Sequence, residues 1–190
     1  MESFCDKSCP KLVETTYLLE RNDINIDSHV FSENPEIYKT IDDSFSEIKN
    51  GFGVLVSNDT VRYSNILTYL NICKYWKGSR LHCDVYNLRY SRYLDKLKET
   101  WNGGVESEDL QYMKIWSNSA KVLIISNFDY VKFGDFESQT LLNLIQSRQT
   151  DGNTTILVSP PINSLVYGKS RFFDVLKNKM KDSVKVVINR

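Results

Sequence analysis

Five short runs of apolar, mostly β-branched residues set the limits on what this chain can fold into. They are Val54–Ser57 (VLVS), Leu81–Tyr86 (LHCDVY), Val122–Ile125 (VLII), Thr155–Val158 (TILV) and Val184–Ile188 (VKVVI). The third and fourth are continuous apolar stretches, as expected of strands covered on both faces. Between the runs the apolar residues take helical spacing. Ile66, Leu67, Tyr69, Leu70, Cys73 and Trp76 mark one helix, with Lys77-Gly78 as its stop. Residues 90–101 and 106–117 predict two more. Leu141, Leu142, Leu144 and Ile145 mark a fourth, and RFFDVLKNKM (171–180) a last one. Strand and helix alternate, so the fold class is α/β, a parallel sheet with helices on both faces.

The first fifty residues read differently. PKLVETTYLLERNDI predicts an amphipathic helix that buries Leu12, Val13, Tyr17, Leu18 and Ile24. NIDSHVFSENPEIYKT reads as a linker, and TIDDSFSEIKNG (40–51) as a helix closed by Gly51. This divides the chain into an N-terminal helical segment and linker (1–35) and one domain (36–190). A content of 41% apolar residues supports a sizeable core, and a net charge of zero supplies no global field toward nucleic acid or membrane. No run is long and apolar enough for a membrane helix, and MESFCDKSCPK lacks a signal peptide's apolar stretch. The expectation is a cytoplasmic, reducing setting in which Cys5, Cys9, Cys73 and Cys83 are free thiols. Cys5 and Cys9 have the spacing of half a zinc site, but no second Cys/His pair completes it.

One stretch carries the pattern of a nucleotide site. In GFGVLVSNDTVRYSNILTYLN (51–71) a glycine-containing lead-in and an apolar strand precede eight small or polar residues and an amphipathic helix. A phosphate-binding loop needs glycines, so that backbone N–H groups can cradle phosphate, and a lysine to neutralise it. The eight residues Ser57-Asn58-Asp59-Thr60-Val61-Arg62-Tyr63-Ser64 contain neither.

In the order and spacing of its pieces, residues 15–190 resemble the AAA+ ATPase domain of helicase loaders of the DnaC, DnaI and IstB kind. The stretch LLERNDINIDSHVF, the helix ending in Asn50-Gly51, and the strand–loop–helix just quoted carry the likeness. So do AKVLIISNFDYVKFGDFESQTLLNLIQSRQTDGNTTILVSPP and FFDVLKNKM. The resemblance implies a three-layer, RecA/AAA+-like, five-stranded parallel sheet with a short N-terminal helical extension. Set on that family's motifs, the catalytic letters are absent. Tyr63 stands where the loop lysine belongs, and Ser64 alone keeps its type. Asp59 adds negative charge where phosphate would lie, beside Arg62. Ser126 and Asn127 replace the two acidic positions after the third strand, and Asp129 follows two residues on. Pro160 takes the place of the first sensor, and Lys179 that of the trans-acting arginine, without its fork. Phosphoryl transfer rests on such charge stabilisation, so the expectation is a pseudo-ATPase with no catalytic residue, no cofactor and no metal.

That reading implies partners: a replicative helicase, or an active loader or initiator ATPase, in a hetero-oligomer to which Lys179 or Arg171 donates a charge. A second reading is a single-stranded DNA-binding module. Tyr86, Arg89, Tyr90, Arg92 and Tyr93 interleave rings with guanidinium groups, and Lys96 and Lys98 follow, the composition that grips single strands. The same tyrosines at helical spacing are equally compatible with packing, and Asp95 and Glu99 dilute the charge. A third is a RecA-like pseudo-ATPase subunit of a recombination or repair heterodimer. An unrelated α/β domain with no inherited site also fits. Lys169, Arg171, Lys177, Lys179 and Lys181 read as a solvated basic face, and His29 and His82 lack any nucleophile partner.

Overall fold

The computed structural model describes residues 35–46, 48, 51–75, 85–161, 171–181 and 183–188. Within them the elements run α1 (Pro35–Ser46), β1 (Phe52–Ser57), α2 (Thr60–Tyr75), β2 (Val85–Arg89), α3 (Tyr90–Glu99), α4 (Glu108–Ser119), β3 (Val122–Ser126), α5 (Asp135–Thr150), β4 (Thr154–Ser159), α6 (Arg171–Lys181) and β5 (Val184–Ile188). Short 3-10 turns occupy Thr100–Asn102 and Phe128–Tyr130. The five strands form one sheet in the order β2-β3-β4-β1-β5, and every pairing is parallel. The expected five-stranded, three-layer α/β architecture is therefore present.

Strand pleating divides the core in two. Phe52, Val54 and Val56 of β1, Leu123 and Ile125 of β3, and Leu157 of β4 face the layer built from α3, α4, α5 and α6. Leu55, Ile124, Ile156, Val158 and Val186 face α1 and α2, where they meet Ile41, Phe45, Tyr63, Ile66 and Leu67. Every residue of β1, β3 and β4 is buried, which is why those runs lack the polar alternation of a half-exposed strand. Gly53 lets α1 approach: a Cβ there would lie 2.5 Å from Ile48 Cδ1 and 2.8 Å from Phe45 Cε1.

Several boundaries differ from the sequence reading for local reasons. The helix expected over 40–51 covers Pro35–Ser46, because proline suits the first helical position. Ile48 then folds back, its N–H donating to the Phe45 carbonyl at 3.3 Å. Of the run expected over 81–86, Val85 and Tyr86 are described and lie in β2, which continues to Arg89 because Leu88 and Arg89 pair opposite Ile125 and Ser126; 81–84 lie outside the described residues. α4 starts two residues later than expected, where the Ser107 hydroxyl accepts from the Leu110 N–H at 3.3 Å. α5 is much longer than its four apolar marks, at 16 residues. The expected N-terminal helix, Cys5, Cys9, His29, His82, Cys83 and Lys169 lie outside the described residues.

Candidate functional site

In parallel α/β sheets ligands are received beyond the carboxyl ends of the strands. Here Ser57, Ser126 and Ser159 end β1, β3 and β4, each of them buried, and Arg89 ends β2 opposite Ser126. Their hydroxyls are engaged within the protein. Ser57 Oγ accepts from the Asp59 N–H at 3.1 Å, Ser126 Oγ donates to Asn87 Oδ1 at 3.2 Å, and Ser159 Oγ donates to the Pro160 carbonyl at 2.8 Å.

The connection from β1 to α2 is the largest departure from the expected eight-residue loop. α2 begins at Thr60, so only Asn58 and Asp59 lie between strand and helix. Asp59 is the cap. Its carbonyl accepts from the Tyr63 N–H at 3.2 Å, and its Oδ1 accepts from the Arg62 N–H at 3.0 Å. Val61 to Ser64 are thus helical. Tyr63, at the lysine position, is 3% exposed and packs in the core against the α1 side of the sheet. The Ser64 hydroxyl turns back on its own helix, donating to the Val61 carbonyl at 2.9 Å.

A second carboxylate reaches the same helix start. Asn127 takes the left-handed conformation (φ 63°), the single non-glycine residue to do so among those described. Asparagine tolerates it. The chain then coils through Phe128–Tyr130 and brings Asp129 back, so that its Oδ2 accepts from Thr60 Oγ1 at 2.9 Å. Asp59 and Asp129 therefore flank the N-terminus of α2, the end whose dipole favours an anion. Pro160 is buried beside Ser159. Lys179 is far away: its Nζ donates to Gln149 Oε1 at 2.8 Å and lies 5.8 Å from the Phe52 ring centre, at the opposite end of β1. Six residues of strand, about 17 Å, separate the two ends.

The aromatic and basic stretch after β2 does not assemble as one surface. Tyr90 and Tyr93 are core residues, 0% and 8% exposed, so their ring faces are closed to stacking bases. Tyr90 packs on Phe128 and Phe133 and donates its hydroxyl to the Glu137 carbonyl. Burial, then Tyr93 and Glu137, push the Tyr90 hydroxyl well above its ordinary pKa; burial and Glu106 raise Tyr93. Tyr86 and Arg89 are half-buried. Arg92 pairs with Asp109 at 2.9 Å, Lys96 with Glu99 at 3.0 Å and Lys98 with Glu137 at 2.8 Å.

Two residues that the sequence reading passed over organise the interior. Glu137 Oε2 accepts from the Gly134 N–H at 3.0 Å while its Oε1 meets Lys98, tying α3 to the start of α5. Burial opposes its charge, yet Lys98 and the Glu137 and Gly134 N–H groups outweigh it and hold the carboxyl below its usual range. Arg148 is wholly buried. It donates to the carbonyls of Ser117 (2.8 Å), Asn118 (3.1 Å) and Thr154 (2.7 Å) and to Thr155 Oγ1 (3.0 Å). Burial pushes its pKa down to about 10 against the pull of Asp151. An arginine falling on the Leu141–Ile145–Arg148 stripe of α5 was the available signal. Among the described residues no group of three or more His, Cys, Asp or Glu is placed to hold a metal ion, and no helix is long and apolar enough to cross a membrane.

Sheet order, crossover helices and the strand–turn–helix at β1 define a protein of the RecA/AAA+-like α/β class. Among solved structures it is similar to the replication initiator DnaA bound to AMPPCP and single-stranded DNA, with a TM-score of 0.59 and 10% identity over 97% of this chain and 52% of that one. Domain III of the Thermotoga maritima replication initiation protein DnaA gives 0.58 and 10% over 85% of this chain and 65% of that one. The DnaC helicase loader gives 0.48 and 16% over 99% and 95%. At these identities the likeness is one of fold, and the chain spans 52% to 65% of the length of the two DnaA chains. No protein-family model matches the sequence, and neither does any curated protein.

Proposed function

We propose that this chain is a non-hydrolysing, AAA+-like protein of DNA replication that works inside the cell through contacts with another protein. Its partner on this reading is a replicative helicase, or an active loader or initiator ATPase, and the chain serves as adaptor, subunit or inhibitor. One observation carries the proposal: the protein's own carboxylates occupy the start of α2. With a two-residue connection, Asp59 capping the helix and Asp129 bonded to Thr60, the backbone offers no nest and the local charge repels phosphate. The solved DnaA structures, one of them with AMPPCP and single-stranded DNA, supply the replication setting. The buried Tyr90 and Tyr93 and the paired Arg92, Lys96 and Lys98 weigh against a single-strand platform on α3.

Affinity capture of the tagged chain from its native host, followed by identification of what accompanies it, tests this. A helicase, loader or initiator held at stoichiometric level supports the reading. Recovery of the chain alone, or with nucleic acid that nuclease removes together with every protein, contradicts it.

A further inference from the structure

The face of α4 turned away from the core is unusual for its exposed apolar pair. Leu110, Met113 and Ser117 face inward. On the opposite side Glu108, Gln111, Tyr112, Ile115 and Asn118 follow one another at helical spacing, all exposed, with Tyr112 at 51% and Ile115 at 58%. Val105, 95% exposed, lies in the loop just before the helix, and the Glu106–Lys114 pair at 2.9 Å holds that loop against α4. The charges along this face are polarised. Glu108 opens the face, its Oε1 accepting from the Tyr112 hydroxyl at 3.2 Å, whereas Lys121 stands just past the end of the helix. Asp109, next to Glu108, is paired with Arg92.

We propose that this face pairs with the same face of a second copy, the two α4 helices lying antiparallel about a two-fold axis between Tyr112 and Ile115. The register is self-complementary, as a two-fold interface requires. Tyr112 meets the partner's Ile115, Gln111 meets the partner's Asn118, and Glu108 meets the partner's Lys121. Asn118 Nδ2 donates to the Lys114 carbonyl at 2.7 Å, and its Oδ1 is the acceptor offered to the partner's Gln111. Each helix N-terminus, with Glu108, lies against the C-terminus of the other, so helix dipoles and the Glu108–Lys121 charges agree. The face runs about 20 Å from Glu108 to Lys121 at helical rise, so the contact belongs to the small class, below about 1,200 Å², that gives weak and reversible association. This pairing is independent of the nucleotide reading.

Sedimentation velocity of the full chain over a concentration series tests it. The wild-type mean mass is expected to climb from 22.1 kDa toward twice that value as concentration approaches roughly 0.5 mM, within the range of such small interfaces. Ile115→Glu is expected to hold the mass at that of the monomer with an unchanged melting temperature. Glu108→Lys and Lys121→Glu are each expected to weaken association at low salt, and the double variant to restore it. A wild-type protein that stays monomeric throughout overturns the proposal. So does dimerisation that survives Ile115→Glu, or a double reversal no better than the single ones.

Discussion

Replacing Arg148 by methionine sets two opposing effects against each other, and the structure decides between them. Methionine removes a buried charge. The fall of the guanidinium pKa from 12.5 to about 10 corresponds to about 3 kcal/mol of burial cost that the variant escapes. Against this, the carbonyls of Ser117 and Thr154 and the hydroxyl of Thr155 lose their donor in a region closed to water, and the partly buried Asn118 carbonyl loses its donor too. A buried acceptor left without its partner costs about 1–3 kcal/mol. At the middle of that range the three buried acceptors, with the partly buried fourth, outweigh the relief, and the net loss is about 3–5 kcal/mol, a large share of the 5–15 kcal/mol that holds a typical domain together. For a chain of this size that corresponds to a fall of about 10 °C in melting temperature. Urea titration followed by circular dichroism, with a thermal scan alongside, measures it. Arg148→Lys is expected to lose nearly as much, because one ammonium cannot span acceptors on both α4 and β4. A loss below about 1 kcal/mol for methionine, or a gain, would refute the argument that hydrogen-bond satisfaction outweighs desolvation here.

Other expected outcomes follow from single contacts. Gly53→Ala pushes a methyl into Ile48 and the Phe45 ring and is expected to cost about 1–3 kcal/mol; combining it with Ile48→Ala should recover part of that loss, and strictly additive effects in urea would speak against the clash. Glu137→Gln keeps an acceptor for the Gly134 N–H but loses the Lys98 pair. The depressed carboxyl stabilises the fold above its unfolded value of 4.5, and that contribution disappears as pH falls through the lower folded value. The variant's stability should therefore vary less steeply with acid, as urea midpoints below about pH 4.5 will report. Thr60→Val removes the donor to Asp129 and is expected to speed amide exchange at the start of α2 while leaving β4 protected. Unchanged exchange there would mean that the Asp129 contact does not hold the helix start.

The sheet was legible because strands buried on both faces leave continuous apolar runs, and four of the five were located within a residue or two. Of the run LHCDVY only Val85 and Tyr86 are described; they pair with Val122 and Leu123 of β3, and it is that pairing, not any apolar pattern, that carries the strand on to Arg89. The site was harder. The eight polar residues after β1 resembled a loop because the likeness to a phosphate loop outweighed the local signal that Asp59 offers as a helix cap before Thr60. That outcome depends on Tyr63 finding a place in the core and on Asp129 arriving from 69 residues away. The tyrosines of α3 illustrate the same limit. Spacing put Tyr90 and Tyr93 near the arginines, but burial was decided by Phe128 and Phe133 across the sheet edge. Arg148 acts through the carbonyls of Ser117, Asn118 and Thr154, which no sequence motif records beyond its place on the apolar stripe of α5. Glu137, three residues after Gly134, has a capping-box spacing that could have been read.

Calorimetric titration of the purified chain with ATP and magnesium, paired with a phosphate-release assay, bears most directly on the claim that α2 begins on the protein's own carboxylates and not on a nucleotide. The account predicts no saturable heat and no release above background, for the wild type and for Ser64→Ala alike. Saturable binding at micromolar concentration, with turnover that falls when Ser64 is changed, would contradict it.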